Sequence, residues 1–470
     1  MRTNTHSQRP SPQPAGWLHG GARYALLLFG DILIFYTTLI LTLVLRYGYE
    51  GFESEVFFAH RYAFTIGLLL WLIIFYLGGL YDRLVVVRNI LDRRFFALVG
   101  IGGLFLILMF YFMPSLGITP KTTLLIFIFV YAVVGYGWRM IFNALVRGAA
   151  GRGAVRIMMI GSSLAAGEIC DAIANQPGYG YTIGYSLKDG LQTFQNPELF
   201  LKEIRDHNID LLVIPQQLEH DPGAVRILYA ALLNGTSIST LPDFYERLFE
   251  KVALSILDET WLIRNLADRR SRYQTLRRVS EISIAIILWL LASPILLLIT
   301  LLIPLTSSGS VLYRQPRIGY DGKLFTLYKF RSMYSHKEKN PDADAGSAQW
   351  SSGNGDARVT PFGRFLRNTH LDELPQLFNI ICGDMSFVGP RPERPEFTAD
   401  LEKKIPYYTL RYLVRPGITG WAQLNYQYGA SVDDAYQKLQ YDIYYIKRRS
   451  LWLDMIIILK TIKRLFVEPD

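Results

Sequence analysis

Cysteine is nearly absent from this chain of 470 residues, and one further signature is missing. The two cysteines, Cys170 and Cys382, lie in different regions beside apolar residues. This excludes a disulfide framework, and nothing in the sequence requires an oxidising compartment. No lysine has a tyrosine four residues before it, so the Tyr-x-x-x-Lys pair expected of nucleotide-sugar dehydratases and epimerases does not occur. That absence argues against a membrane-anchored enzyme of this class.

A cleavable signal peptide is also not visible at the start of the sequence. Residues 1–22 are polar and rich in proline, without a short apolar core and a small-residue cleavage site. We predict that they form a disordered cytoplasmic tail.

Hydrophobic residues, by contrast, make up 50% of the chain. They are concentrated in long runs, which predicts membrane segments, since a bilayer needs ~20 apolar residues per helix. Residues 23–150 are predicted to form a four-helix transmembrane domain with spans at roughly 24–45, 63–80, 96–113 and 122–145.

The charged residues indicate an orientation and a class of partner. Arginine clusters between the second and third runs and after the fourth, whereas the first outer loop carries glutamates, so both ends of the bundle are predicted to face the cytoplasm. A net charge of +9 suits anionic lipid or phosphorylated substrates. Nucleic acid is not an expected partner, because the basic residues border apolar runs. Asp31 in the first run is predicted to be a capped or snorkelling carboxylate.

Residues 151–262 alternate strand and helix patterns, which predicts a parallel α/β sheet of the Rossmann-like type. The turn after the first strand runs from Gly161 to Gly167 without the G-x-G-x-x-G spacing. We therefore predict a degenerate, structural or regulatory domain without a working cofactor site.

A fifth apolar run, residues 279–305, has strongly basic sequence on both sides. Ser293 and Pro294 stand in its middle, and proline kinks a helix because it removes a backbone donor. A straight span remains an alternative. We favour a re-entrant helix that dips into the membrane and returns, since a span would export the very basic C-terminal part.

Two adjacent carboxylates, Asp372 and Glu373, are the main candidate site in residues 263–470. Pro375 follows closely and is tolerated in the first turn of a helix, which Thr369 or Asp372 could cap. The pair is therefore predicted to lie at a helix N-terminus.

Basic residues occur in short motifs around this pair, and prolines stiffen two of them. Guanidinium groups match phosphate oxygens bidentately, and Mg²⁺ bridges carboxylate and phosphate oxygens. The motifs therefore predict a site for a diphosphate and Mg²⁺ held by Asp372 and Glu373. The candidate phosphate-binding residues are Lys329, Arg331, Arg358, Arg391, Arg394 and Arg415.

Residues 277–466 resemble the bacterial sugar transferase domain of the monotopic polyprenyl-phosphate phosphoglycosyl transferases. The resemblance rests on Ser293-Pro294, "KFRSM", "LDELPQLFNIICGDMSFVGPRP" and "RPGITGWAQ". The four spans and the α/β domain resemble the long members that initiate exopolysaccharide, capsule or O-antigen synthesis. This implies a transmembrane bundle, a Rossmann-like domain and a mainly α-helical monotopic catalytic domain in one chain.

The resemblance also implies the reaction. A hexose-1-phosphate, of glucose or galactose, would pass from a UDP-sugar to undecaprenyl phosphate with release of UMP. Asp372 would be the nucleophile, and Glu373 a magnesium ligand or base. The expected setting is the bacterial inner membrane, with the catalytic domain on the cytoplasmic face, a possible homo-oligomer and downstream glycosyltransferases. A non-catalytic polysaccharide assembly subunit is the other alternative, and it predicts a damaged acidic pair.

Overall fold

The computed structural model describes residues 21–48, 54–81, 92–112, 121–152, 154–176, 179–188, 197–257, 259–266, 272–334, 358–426, 429 and 431–467. The predicted disordered tail lies almost wholly outside them. The chain divides into two compact units, Met1–Phe244 and Tyr245–Asp470.

The first unit begins with four apolar helices, α1 (Gly21–Tyr47), α2 (Ser54–Leu77), α3 (Asp92–Phe112) and α4 (Lys121–Arg152). The third predicted span falls on α3, whose apolar stretch Phe95–Tyr111 is shorter than the ~20 residues that a bilayer needs. The helix that contains the fifth predicted run is long enough to cross a membrane. The protein is therefore a membrane protein. The helices long and apolar enough to cross a membrane are Ala25–Tyr47, His60–Leu77, Thr122–Leu145 and Gln274–Thr306.

Asp31 on α1 was predicted to be a capped or snorkelling carboxylate, and this prediction is wrong. The side chain is buried in an ion pair. Its Oδ2 lies 2.5 Å from Nη2 of Arg139 on α4 and accepts a hydrogen bond of 2.7 Å from the Tyr81 hydroxyl. Arg139 also donates to the carbonyl of Leu80. A buried charge is tolerated when it is paired, and a partner 108 residues away in sequence gives no local signal.

The parallel sheet predicted within residues 151–262 is confirmed. Its strand order is β2-β1-β3-β4, and neighbouring strands pair in parallel. Met158 and Ile160 of β1 share one core cluster with Leu212 and Ile214 of β3, and the other apolar residues of both strands are also buried. Continuous apolar runs of this kind are expected of strands covered on both faces. The elements are β1 (Val155–Ile160), α5 (Leu164–Asn175), β2 (Tyr181–Leu187), α6 (Pro197–Asp206), β3 (Leu211–Ile214), α7 (Pro222–Leu233) and β4 (Ser237–Thr240).

Three helices follow, α8 (Leu241–Phe249), α9 (Glu259–Leu266) and α10 (Arg272–Thr306). Helix α10 contains the fifth apolar run and continues through Pro294. The Ser293 hydroxyl donates to the carbonyl of Leu290 at 2.7 Å. Only 11% of the membrane-length window of α10 is buried. The exposed apolar surface of this helix suits a lipid environment. The re-entrant path of α10 stays a prediction.

The rest of the second unit is mainly helical, with two small sheets. An antiparallel hairpin pairs β5 (Leu312–Ile318) with β6 (Leu324–Phe330), and a parallel pair joins β7 (Ser386–Val388) to β8 (Gly417–Thr419). The helices are α11 (Pro361–Asn368), α12 (Gln376–Cys382), α13 (Pro395–Lys404), α14 (Trp421–Asn425), α15 (Val432–Arg448) and α16 (Leu451–Val467). Ala285 of α10 and Leu377 and Ile380 of α12 share one core cluster, so the membrane helix packs beside the predicted site.

Candidate active site

The Asp372–Glu373 pair lies in a 3₁₀ turn, Leu371–Glu373, between α11 and α12. Pro375 is itself the N-cap residue of α12, without a side-chain capping bond. The predicted cap by Thr369 or Asp372 is therefore wrong, because the chain makes a separate turn before α12 begins. We call Asp372 and Glu373 the dyad.

Close packing of α11 holds this turn from its N-terminal side. The Thr360 hydroxyl accepts a hydrogen bond of 2.8 Å from the Gly363 N–H at the start of α11. A Cβ on Gly363 would lie 2.0 Å from the Ser332 carbonyl oxygen, so only glycine permits this approach. Because Ser332 lies two residues after the end of β6, the packing holds the turn beside the strand that carries Lys329.

Glu373 is held as a carboxylate by two cations. Its Oε1 lies 2.5 Å from Nζ of Lys329 and 4.0 Å from Nη2 of Arg391. Burial alone would raise the pKa of Glu373, but the charges of Lys329 and Arg391 outweigh it and lower that pKa to about 2. Glu373 is therefore ionised at any physiological pH.

Asp372 has the opposite electrostatic environment although it is the adjacent residue. It is buried, and burial raises the pKa of its carboxyl above the ordinary value, as does the negative charge of Glu373. Lys329, Arg367 and His370 act against this rise without cancelling it. The dyad thus contains one carboxylate that is stabilised by ion pairs and one that is poorly stabilised and more basic.

The segment 388–393, which carries Arg391, is fixed by hydrogen bonds to its backbone. Five carbonyls of this segment accept bonds, and the Gly389 N–H donates to Thr419 of β8 at 2.9 Å. A fixed backbone limits where the Arg391 side chain can reach. The carbonyls are those of Val388 (from Arg277 and Tyr445), Pro390 (from the Gly417 N–H), Arg391 (from Arg411), Pro392 (from Arg317) and Glu393 (from the Ile318 N–H).

The structure distributes the six predicted phosphate-binding residues unevenly. Lys329 and Arg391 lie at the dyad. Arg331 donates to the Ser307 carbonyl just beyond α10, at 2.7 Å. Arg415 donates to the Gly383 carbonyl at 2.9 Å, and its guanidinium lies 5.5 Å from the centre of the Tyr320 ring.

The last two of the six are Arg394 and Arg358, for which the structure describes mainly backbone positions and contacts. Arg394 is the N-cap residue of α13, and its guanidinium lies 5.8 Å from the centre of the Phe397 ring. The carbonyl of Arg358 accepts a hydrogen bond of 2.9 Å from the Tyr334 N–H. Phosphate binding by these six residues stays a prediction.

Arg317 is a basic residue near the site that the motifs did not single out. It donates to the Pro392 carbonyl at 2.8 Å and to the Gln315 side chain at 2.7 Å. Burial and the charges of Arg391 and Arg394 lower its pKa to about 10. The negative charge of Glu393 acts against this shift, so an anionic side chain already lies near Arg317. The only sequence signal for Arg317 was its place in a strand that precedes "KFRSM".

The dyad offers two carboxylates as candidate ligands of a metal ion, and the described residues contain no group of three or more His, Cys, Asp or Glu suited to holding one. Magnesium commonly binds through one or two carboxylates together with the phosphates of a substrate. Hard oxygen ligands from Asp372 and Glu373 therefore fit that ion, provided that a phosphorylated substrate supplies further ligands.

Residues 272–468 match the bacterial sugar transferase family, and these residues include the dyad and its cations. The chain is also 30% identical over 369 residues to the UDP-glucose:undecaprenyl-phosphate glucose-1-phosphate transferase of Klebsiella pneumoniae, which covers 73% of this chain and 76% of the relative. The chain belongs to the bacterial sugar transferase family.

Two further relatives match over shorter lengths. The UDP-N-acetylgalactosamine-undecaprenyl-phosphate N-acetylgalactosaminephosphotransferase of Aeromonas hydrophila is 44% identical over 191 residues, 41% of this chain and 44% of the relative. The undecaprenyl-phosphate galactose phosphotransferase of Salmonella typhimurium is 35% identical over 240 residues, 48% of each chain. The chain thus spans about half the length of these two relatives. The sugars in the three names differ.

Proposed function

We propose that the protein transfers a hexose-1-phosphate from a UDP-hexose to undecaprenyl phosphate and releases UMP. The observation that carries this proposal is the dyad, in which neighbouring carboxylates have opposite pKa shifts beside Lys329 and Arg391. Such unequal carboxylates serve a reaction that needs one nucleophile and one fixed anion. UDP-glucose and UDP-galactose are the donors that we favour.

The first step is an attack by an Asp372 carboxylate oxygen on the sugar-linked phosphorus of the donor. A bond forms between that oxygen and the phosphorus, and the bond from the phosphorus to the bridging oxygen breaks, so UMP leaves with the electron pair. The raised pKa of Asp372 favours it as the attacking group, because a poorly stabilised carboxylate is the better nucleophile. Glu373, already paired with Lys329, stays out of the attack.

The second step returns Asp372 to its starting state. A phosphate oxygen of undecaprenyl phosphate attacks the phosphorus of the aspartyl phosphosugar, and the bond from Asp372 to phosphorus breaks. The product is the hexose linked through a diphosphate to the lipid. Two separate steps suit a soluble donor and a lipid acceptor that do not readily meet.

The cations around the dyad bind and orient the phosphates in this proposal. Arg391 offers a planar pair of donors from a fixed backbone, and Lys329 offers a point charge. Mg²⁺ would be held by Asp372 and Glu373 and would neutralise charge on the phosphate oxygens. In this scheme the Glu373 carboxylate also holds the ammonium group of Lys329 in place at the edge of the site.

The membrane setting is also part of the proposal. We place the protein in the bacterial inner membrane with the catalytic part on the cytoplasmic face, supported by the arginine distribution between the apolar runs. Helix α10 then enters the membrane and returns at Ser293-Pro294, which leaves both of its basic flanks in the cytoplasm. The α/β domain is proposed to be a degenerate Rossmann-like domain that is structural or regulatory.

The lipid-linked product requires enzymes that extend it. We propose that glycosyltransferases acting on a lipid-linked acceptor follow in a polysaccharide pathway, and that the protein works as a homo-oligomer. Gel filtration with light scattering in detergent checks the second statement, since a monomeric mass would contradict it.

The reaction is tested by UMP release from a panel of UDP-sugars with polyprenyl phosphate in detergent or nanodiscs. We expect UMP release that depends on the lipid for multiple turnovers, and a chelator should abolish it. A protein that releases no UMP with any donor, although folded and membrane-bound, would contradict the proposal.

A further inference from the structure

The base of membrane helix α10 bears two adjacent arginines, Arg277 and Arg278, that contact different parts of the site. Membrane proteins often place arginine at such a position to fix orientation, and the sequence supports that interpretation. The contacts of these side chains, however, are with the catalytic part of the second unit and not with an open surface. Arg277 contacts the start of the 388–393 segment. Arg278 contacts the end of α12, the helix that follows the dyad.

Arg277 is buried and closes a network around β7. Its Nη2 donates to the Ser386 hydroxyl and the Val388 carbonyl, both at 2.8 Å. Its Nε lies 3.0 Å from Glu281 and 2.9 Å from Asp454. Val388 is the first residue of the 388–393 segment, which carries Arg391. One guanidinium therefore joins α10, α16 and the start of that segment.

Tyr445 and Ser386 complete the same network. The Tyr445 hydroxyl lies 2.7 Å from Asp454 and 3.1 Å from the Val388 carbonyl oxygen, and its single hydrogen can be donated to either of them. Ser386 has its hydroxyl 2.5 Å from Glu281. Glu281 also lies 3.7 Å from Nη1 of Arg278, so two arginines meet two carboxylates and the network needs no substrate to be complete.

Arg278 contacts the opposite side of the site. Its Nη2 donates to the Ile380 carbonyl at 2.5 Å, and its Nη1 donates to the Met385 carbonyl at 3.3 Å. These carbonyls lie at the end of α12, the helix that follows the dyad. Gly383, with φ of +101°, lies between them, and a Cβ there would be 3.3 Å from Nη2 of Arg278. A left-handed glycine thus ends α12 and gives the guanidinium its approach.

We propose that Arg277 and Arg278 are positioning residues, through which the membrane helix α10 sets the relative position of Arg391 and the dyad. This rests on the proposed function for its catalytic readout. Neither arginine is assigned a contact with substrate. Both act through backbone carbonyls, which a lysine cannot reproduce because its single ammonium group lacks the fork of donors.

The test uses the full-length protein in nanodiscs and compares Arg277→Lys and Arg278→Lys with the parent. The first readout is hydrogen exchange, which requires no reaction. Arg277→Lys should raise exchange of the 388–394 amides by about tenfold, and Arg278→Lys that of the 380–386 amides, because each variant frees the segment that it held. Arg277→Lys keeps a cation beside Glu281 and Asp454, which favours folding.

The second readout is single-turnover UMP release from the UDP-sugar that the parent uses. We expect a fall of about 10²-fold in each variant with the thermal midpoint little changed, since a misplacement of 1 Å can cost that much. Lys447→Arg is the matched control. Lys447 also forms a buried ion pair, 2.7 Å from Glu246, and an arginine keeps that charge, so the rate of UMP release in Lys447→Arg should stay within about twofold of the parent.

Unchanged exchange in both segments would overturn the proposal, whatever the rates. A loss of UMP release that follows a lowered thermal midpoint, with exchange raised throughout the protein, would also overturn it, because the arginines would then be structural only. If either variant fails to fold, Tyr445→Phe removes the second bond to Val388 and should raise exchange of the 388–394 amides alone. An inactive parent would contradict the proposed function, while the exchange result would still decide the anchoring.

Discussion

Two charged clusters of the second unit differ in how their carboxylates are paired. In the network of Arg277 and Arg278, two arginines meet two carboxylates, and the side chains of Arg277, Glu281 and Asp454 are 9–10% exposed. At the dyad, Lys329 and Arg391 are 21% and 38% exposed, and both lie beside Glu373. Asp372 is buried beside Glu373 with a raised pKa.

The difference indicates which cluster performs chemistry. In a balanced and buried cluster, removing one member leaves a charge without compensation and destabilises the fold. A cluster whose carboxylate is held ionised against its environment stores unfavourable energy, and that pattern is common in catalytic sites. Substitutions at the dyad should therefore act mainly on activity, and substitutions in the network of Arg277 should act on stability.

The largest effect is expected for Asp372→Asn. It removes the attacking oxygen anion while preserving shape, so UMP release should fall by on the order of 10⁴-fold or more, with no covalent adduct. The thermal midpoint should stay equal or rise, since neutralising a carboxylate with a raised pKa removes an unfavourable buried charge.

The control for this variant is Asp433→Asn, a change at an exposed carboxylate in the first turn of α15. It should leave UMP release within about twofold of the parent. A large loss of stability in Asp372→Asn would contradict the view that the dyad is a strained site.

A smaller loss is expected for Arg391→Lys. The lysine keeps the positive charge near Glu373 but lacks the planar pair of donors, so kcat/KM for the UDP-sugar should fall by about 10²-fold. Steady-state kinetics at several donor concentrations measure this. Unchanged kcat/KM would show that Arg391 does not contact the phosphates.

In the balanced cluster, Asp454→Asn should act on stability instead. The asparagine can still accept from Tyr445, but Arg277 loses one of its two carboxylates, so the free energy of unfolding should fall by about 1–3 kcal/mol. Thermal or denaturant unfolding in detergent measures it. A variant that is as stable as the parent yet inactive would reverse the assignment of the two clusters.

The smallest effect expected is a shift of a pH profile. The rate of adduct formation should fall as pH decreases through the raised pKa of Asp372, because only its anion attacks, whereas Glu373 with a pKa of about 2 stays charged. In Glu373→Gln the rate should be lower at every pH. The fall of the rate at acid pH should also move to lower pH, because the negative charge beside Asp372 is gone. A fall that stays in place or moves to higher pH would contradict this.

The dyad and the membrane-length helices could be predicted because their signals are local. Adjacent Asp372 and Glu373 can be identified in the sequence, and so can long apolar runs such as that of α10. The alternation of strands and helices likewise predicted the parallel sheet. Each of these features depends on residues that are close together in the chain.

Contacts between distant segments could not be predicted. Asp31 meets Arg139 from another helix, and Arg277 meets Val388 across 111 residues. A sequence motif also does not say whether an arginine uses its guanidinium on a ligand or on a carbonyl. Arg331, for example, donates to the Ser307 carbonyl, a contact that "KFRSM" does not reveal, and its binding of phosphate stays a prediction.

The difference between the two carboxylates of the dyad depends on their tertiary environment. From the sequence, the two carboxylates are equivalent, and the choice of Asp372 as the nucleophile came from a family resemblance. The structure supplies a physical difference, because Lys329 from β6 reaches Glu373 and lowers its pKa while burial raises that of Asp372.

The most direct test of the account is the mass of the enzyme after incubation with a UDP-sugar in the absence of a lipid acceptor. We expect the protein to be heavier by one phosphosugar, the added mass to map to Asp372, and the adduct to disappear when polyprenyl phosphate is added. An adduct on Glu373, or UMP release that requires both substrates to be bound before any adduct forms, would contradict it.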